Sequence, residues 1–187
     1  MEDLTEFIEL YISECPELED IPSLAQANHF ERININSCDK LHNITLPKTL
    51  NKLTVQYCRG LQRIVGMFKL KELRELSIRE CPELKELSIF DCLGLKYLEM
   101  IHIDSCEKLQ NRTLPTRLLK LGLQHCKYFP RITGMDDLTE LCISEGEEID
   151  VFPTLARLSC LIKIKINSCQ NLDNITLPTT LNEFSVH

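Results

Sequence analysis

Leu73-Arg-Glu-Leu-Ser-Ile-Arg-Glu-Cys-Pro-Glu-Leu84 holds the spacing that decides the fold. Leu76 and Ile78 are two residues apart, the period of a strand with one buried face. They point inward, while Ser77 and Arg79 point outward. Cys81 follows where the chain turns off the strand, and Leu84 brings it back to the core. The same pattern, L-x-x-L-x-I-x-x-C-x-x-L, recurs along the chain. Its second strand residue is successively Ile12, Ile35, Val55, Ile78, Ile103, Leu123, Ile143, Ile166 and Val186, at steps of 20 to 25 residues. Eight of these units continue to a cysteine or glycine at the turn; that of the seventh is Gly146. No unit can bury its apolar side alone, so each must stack on its neighbours.

The expected product is an α/β repeat solenoid with nine parallel strands in one sheet. Loops, turns and short 3-10 segments form the other side, with little regular helix. Residues 1–187 read as one domain of nine coils of 20–25 residues, in about three blocks of three. The octapeptide Asn43-Ile-Thr-Leu-Pro-Lys-Thr-Leu50 supports the block, because close copies occupy 111–118 and 174–181. It reads as the return path of the shortest coil, with Pro47 on an outward arc and leucines closing the core. Leu84, Leu87, Ile89 and Cys92 also match the pattern, but only 11 residues after the preceding unit. That is too short for a full coil, so 84–97 reads as a return segment.

Composition narrows the function. A net charge of −7 argues against a nucleic-acid partner, which needs a basic footprint. No apolar run is long enough to span a membrane. The acidic N-terminus lacks the features of a secretory leader. The cysteine column (Cys15, Cys38, Cys58, Cys81, Cys106, Cys126, Cys169) reads as small buried groups with a weak donor toward the next turn. No C-x-x-C pair suggests zinc. Cys142, at an outward strand position, is the expected exposed thiol. The sequons at Asn43, Asn111 and Asn174 are explained by duplication. His102, Asp104, His125 and Cys126 come together in the pattern, yet no nucleophile elbow or oxyanion loop accompanies them. No enzyme, cofactor or metal is expected.

The outward strand positions are polar and varied. Tyr11, Asn34, Asn36, Thr54, Gln56, Arg79, His102, Asp104, Gln124, Lys165 and Asn167 form the expected protein-binding face, on the concave side of the solenoid. A separate column begins each strand: Glu9, Arg32, Lys52, Glu75, Met100, Lys120, Glu140, Lys163 and Glu183. Its signs largely alternate, which reads as register control.

The repeats resemble the leucine-rich repeat superfamily over essentially the whole chain. In Leu73–Leu84, and in the returns around Leu24 and Leu155 that lead to S-C-x-x-L-x-N-I-T-L-P, they look like the C-terminal repeats of plant nucleotide-binding leucine-rich-repeat disease-resistance proteins. That resemblance implies a ligand-sensing or autoinhibitory region of a cytoplasmic immune receptor. Its partner would be a foreign or host protein, or the rest of its own receptor. The family's nucleotide switch is not encoded here, since no G-x-x-x-x-G-K-[S/T] occurs. A free-standing adaptor for a ubiquitin ligase is the alternative, although those repeats usually continue as C-x-x-I-T-D, unlike the segments after Cys15, Cys38 and Cys106. A secreted repeat protein is a third reading. The first strand starts near residue 10 and the last stops at Val186-His187 without polar caps. An excerpt of a longer receptor is therefore expected, or else end-to-end self-association.

Overall fold

The computed structural model describes residues 8–87, 95–109, 114–126, 134–144, 155–168 and 175–187. Cys92, Ile89, Asn111, Gly146, Cys169 and Asn174, named above, lie outside these. The strands in chain order are β1 (Glu9–Ser13), β2 (Arg32–Asn36), β3 (Asn43–Thr45), β4 (Lys52–Gln56), β5 (Arg63–Val65), β6 (Glu75–Arg79) and β7 (Glu86–Leu87). They continue as β8 (Met100–Asp104), β9 (Lys120–Gln124), β10 (Glu140–Ser144), β11 (Lys163–Asn167) and β12 (Glu183–Val186). Three 3-10 turns, Leu24–Gln26, Met67–Lys69 and Leu155–Arg157, supply the only helical character among the described residues.

Nine strands form one parallel sheet in the order β1-β2-β4-β6-β8-β9-β10-β11-β12. This is the expected solenoid, with nine parallel strands in one sheet and little helix. Equivalent residues face each other without slip: Leu53, Leu76, Ile101 and Leu121 pair in turn, as do Val55, Ile78, Ile103 and Leu123. All eight are buried. A one-residue slip would turn each of them to solvent, so burial alone specifies the register. The charged column reinforces it. Arg32 pairs with Glu9, Lys52 with Glu75 at 2.5 Å, and Lys120 with Glu140 and Lys163 with Glu183 at 2.8 Å. Such exposed pairs add little stability, and their main effect is to penalise the wrong neighbour.

The opposite side is more regular than expected. β3, β5 and β7 make a second parallel sheet, with Ile44 opposite Ile64 and Ile64 opposite Leu87. The first three residues of the octapeptide at 43–50 are therefore a strand. Each of these strands sends one residue into the core: Ile44, Ile64 and Leu87 are buried. Stacking alone brings equivalent return segments to strand spacing, and backbone pairing follows. The rest of the octapeptide closes the coil. Leu46, Pro47 and Leu50 are buried, and the Thr49 hydroxyl donates to the Phe30 carbonyl at 2.9 Å. In its third copy Thr180 does the same to Leu161 at 2.8 Å. The Leu84–Leu87 segment falls on this returning side, as expected, with β7 inside it.

Past seven strands of the large sheet (β1, β2, β4, β6, β8, β9 and β11) comes one residue of a common backbone form. Glu14, Ser37, Tyr57, Glu80, Ser105, His125 and Ser168 adopt left-handed backbone, with φ between 46 and 56°. For a non-glycine residue this costs roughly 1–2 kcal/mol. It is offset by a bond to the next coil: Ser37 N–H donates to Gln56 at 3.0 Å, Glu80 to Asp104 at 3.0 Å and His125 to Ser144 at 3.0 Å. The cysteine then donates back to a carbonyl of its own coil, in addition to the contacts between coils that the sequence suggested. Cys58 Sγ reaches the Gln56 carbonyl at 3.3 Å, and Cys81 reaches Arg79 at 3.3 Å. One carbonyl thus accepts from two coils, which is why a small side chain with a donor suits the position.

The column is not buried throughout. Cys38, Cys58, Cys81 and Cys106 are buried, Cys126 is half-buried, and Cys15, beside the edge strand β1, is exposed. Cys142 is half-buried as well, while Cys160 is exposed. The expectation that Cys142 is the outstanding free thiol is corrected accordingly, because Gln124 Nε2 packs over its sulfur at 3.5 Å. Burial raises the Cys38 thiol and pushes Cys106 up to about 12. A hydrogen bond with Cys81 and burial push Cys58 upward too. Thiolate is the reactive form. Brief iodoacetamide treatment of the native chain is therefore expected to label Cys15 and Cys160 at least about ten times faster than Cys58, Cys81 and Cys106. Peptide mass spectrometry reads the rates, and equal rates would mean that the column opens freely.

Candidate functional site

The third and fifth residues of the strands of the nine-stranded sheet lie on the face opposite the buried core residues, giving two columns. Tyr11, Asn34, Thr54, His102 and Lys165 lie in the first, with Ser77, Gly122 and Cys142 filling the intervening strands. Asn36, Gln56, Arg79, Asp104, Gln124 and Asn167 lie in the second. Every residue expected on the binding face is thus on one surface, spread over seven of the nine strands, which lie about 4.8 Å apart. They form a long polar strip with local clusters, not a single converging pocket.

One cluster sits at the middle of the strip. Asp104 is only 9% exposed, and a buried carboxylate requires partners. Arg79 Nε lies 3.6 Å from its Oδ2, His125 Nδ1 lies 2.8 Å from its Oδ1, and the Ser105 hydroxyl donates to it at 3.0 Å. His125 follows β9 and reaches Asp104 because its left-handed backbone turns the side chain across to β8. The His–Asp pair has a cysteine beside it in sequence, but Cys126 donates to the Gln124 carbonyl at 3.2 Å. Burial, aided by the charge of Asp104, pushes its pKa up to about 12. At neutral pH that sulfur stays protonated and is a poor nucleophile. The cluster's contacts from Arg79, His125 and Ser105 converge on Asp104.

Two hollows flank it on the same face. The first, about 360 Å³, is bordered by Tyr11, Asn34, Thr54 and the paired Lys52 and Glu75. Tyr11 is two-thirds exposed, and its hydroxyl donates to Glu9 at 2.7 Å. That bond, with help from Arg32, lowers the Glu9 carboxyl below its usual range. The second hollow, about 290 Å³, lies over Gly122 between His102 and Cys142, with Lys165 at its edge. A Cβ on Gly122 would stand 2.4 Å from His102 Nδ1. The imidazole therefore occupies space that only a glycine leaves. His102 Nε2 is buried without a hydrogen-bond partner. Burial first, and then the charge of Arg79, lower the His102 pKa, so the ring is neutral at pH 7.

Gly122, His125 and Cys142 were not among the expected binding residues. A gap in an otherwise side-chain-bearing column was the available signal for Gly122. His125 was placed near Asp104 by the pattern, but its contact with that carboxylate depends on backbone geometry. A third cavity, about 420 Å³, lies along the strand-start border by His29, Glu31 and Asn51, away from these columns. Asn43, the sequon within the described residues, is half-buried in β3 and accepts from Arg63 Nε at 3.3 Å. Among the described residues no group of three His, Cys, Asp or Glu side chains is placed to hold a metal ion. No helix there is long and apolar enough to cross a membrane.

Comparison with known proteins places this surface in context. The chain is similar to disease resistance protein RPP4 of Arabidopsis thaliana, 25% identical over 207 residues, covering 92% of this chain and 17% of that protein. Protein SUPPRESSOR OF npr1-1, CONSTITUTIVE 1 from the same plant is 25% identical over 183 residues, covering 95% of this chain and 11% of that protein. Disease resistance protein RPP5, also from Arabidopsis thaliana, is 26% identical over 183 residues, covering 92% of this chain and 12% of that protein. The resemblance drawn from the repeats is thus borne out by relatives of the disease-resistance kind. The chain spans less than a fifth of the length of each. No family model matches it, and no solved structure does.

Proposed function

We propose that this chain is a non-catalytic recognition module, the repeat region of a plant-type intracellular immune receptor, and that it binds protein through the solvent face of its nine-stranded sheet. The carrying observation is the pair of registered polar columns. Such a face is the extended surface on which stacked repeats bind partners. Similarity to disease resistance proteins supplies the biological setting. In this reading residues 1–187 are one domain of nine coils in three blocks. The partner is a foreign or host protein, or another part of the same receptor. Reduced, buried thiols suit a cytoplasmic location.

A comparative pull-down from plant extract tests this. The wild-type chain is set against a variant with Tyr11, Gln56, Gln124 and Lys165 changed to Ala. Arg79 and His102 are spared because one holds Asp104 and the other packs on Gly122. Once circular dichroism shows matching folds, the proposal expects at least one protein captured by the wild type and lost by the variant. Identical capture by both would move recognition off this face. A ubiquitin-ligase subunit as the captured protein would favour the adaptor reading.

A further inference from the structure

We infer that the hollow over Gly122 is a subsite for one acidic side chain, a glutamate or aspartate, of a protein partner. This rests on the reading of the sheet face as a recognition surface and specifies its chemistry. The first argument is charge. The chain as a whole carries −7. On the two columns the only charged lysines, arginines and carboxylates are Arg79, Asp104 and Lys165, and Arg79 is matched by Asp104 at 3.6 Å. Lys165 has no ion pair among the described residues, whereas its neighbours Lys120 and Lys163 are bound to Glu140 and Glu183 at 2.8 Å. The hollow is thus bordered by three lysines, Lys120, Lys163 and Lys165, against one carboxylate, Glu140, and Lys165, whose charge also acts on Glu183, is the lysine without a direct ion pair.

Size and shape supply the second argument. At about 290 Å³ the hollow is below the range that encloses a whole small molecule, and it suits a single side chain. Its floor is the backbone at Gly122, against which the His102 ring packs, and the open volume lies beside that ring. His102 forms one wall, with Nε2 buried and unpaired. Leaving such an atom unsatisfied is unfavourable. A modest turn of the ring toward the hollow gives Nε2–H a carboxylate acceptor. The opposite wall is Cys142, whose sulfur lies beside Gln124 Nε2. Lys165 supplies the charge, His102 a donor, and the hollow beside its ring the room.

Two peptide-display libraries test the inference. Both are random dodecamers, with the central residue fixed as Glu in one and Gln in the other. Wild type, Lys165→Glu, Gly122→Ala and a double variant of the other hollow (Asn34→Ala with Thr54→Ala) are used as baits after thermal melts show that each is folded. The expected result is about ten-fold higher recovery from the Glu library on wild type, lost on Lys165→Glu, reduced on Gly122→Ala and kept on the double variant. Raising salt from about 0.05 to 0.5 M should lower that recovery. Equal recovery of the Glu and Gln libraries overturns the carboxylate subsite. Peptides lost on the double variant but indifferent to Lys165→Glu overturn the subsite and leave the recognition face standing. Peptides indifferent to both, or no enrichment over blank beads, count against both readings.

Discussion

A Leu76→Ala chain is expected to lose about 2–5 kcal/mol of unfolding free energy, with the urea midpoint falling to match. Leu76 is fully buried in β6, between Leu53 of β4 and Ile101 of β8. Removing its side chain forfeits the transfer energy of the lost methyl groups. It also leaves a void that the framework cannot close, because the backbones on both sides are held in register by ladder bonds. A second effect is specific to stacked repeats. Each coil contacts only its neighbours, so a weakened central interface uncouples the two flanks. The transition should therefore broaden as well as shift. Val65→Ala is the matched control, since Val65 is 46% exposed on β5, and it should move stability by no more than about 0.5 kcal/mol. A sharp, unshifted transition for Leu76→Ala would show that the coils do not depend on one another in this way.

The same residue shows why the strands were legible. Leu76 and Ile78 sit at period two with cysteine and leucine at fixed distances beyond. Repetition of that pattern fixes direction, pairing order and register together. The charged column was legible for a related reason: opposite signs on adjacent strands mean something only in one alignment, the one found. β3, β5 and β7 were hidden because each sends a single residue inward, and one buried residue makes no period. The inward carbonyl bonds of the cysteines were hidden because a thiol's partner depends on the left-handed residue before it. Seven such non-glycine residues occur among the described residues, and none of them is asparagine, a usual marker of that conformation. Cys142 was misjudged for exposure because strand alternation gives a direction, while shading by Gln124 depends on the next strand.

The binding face divides along the same line. Which side of the sheet a residue takes follows from alternation, so all the expected ones lie on that face, although Asp104 is buried there by its neighbours. Which act together is a matter of distance across strands. Arg79 and Asp104 were expected as two separate contact residues, yet together with His125 they are an internally satisfied group. A partner would have to break those bonds to use them. Residues whose hydrogen-bonding capacity is already spent contribute shape more than affinity. The remaining capacity lies to either side, near Tyr11 and near Lys165. An extended strip with two receptive ends suits a protein surface better than a compact ligand.

Gly60→Ala is expected to destabilise the chain by about 2 kcal/mol, while Gly122→Ala costs less than about 1 kcal/mol, although both would bring a new Cβ into close contact. At Gly60 that Cβ would stand 2.3 Å from the Asp39 carbonyl oxygen. The obstacle is backbone, tied into the preceding coil, and it cannot rotate away. The turn at Gly60 would have to retreat, straining the Leu61 N–H to Cys58 bond of 3.1 Å and the Arg59 N–H to Asp39 side-chain bond of 3.4 Å. At Gly122 the atom in the way belongs to the His102 ring, which has the neighbouring hollow to turn into. There the alanine also removes the entropic cost of a glycine in a strand, which offsets part of the crowding. Both variants are measured by urea unfolding, and an imidazole shift in the proton NMR spectrum should accompany Gly122→Ala alone. Equal losses at the two positions would show that the His102 ring is as immovable as the backbone. A harmless Gly60→Ala would show that the turns between coils slide freely, and the tight stacking of cysteine turns argues that they do not.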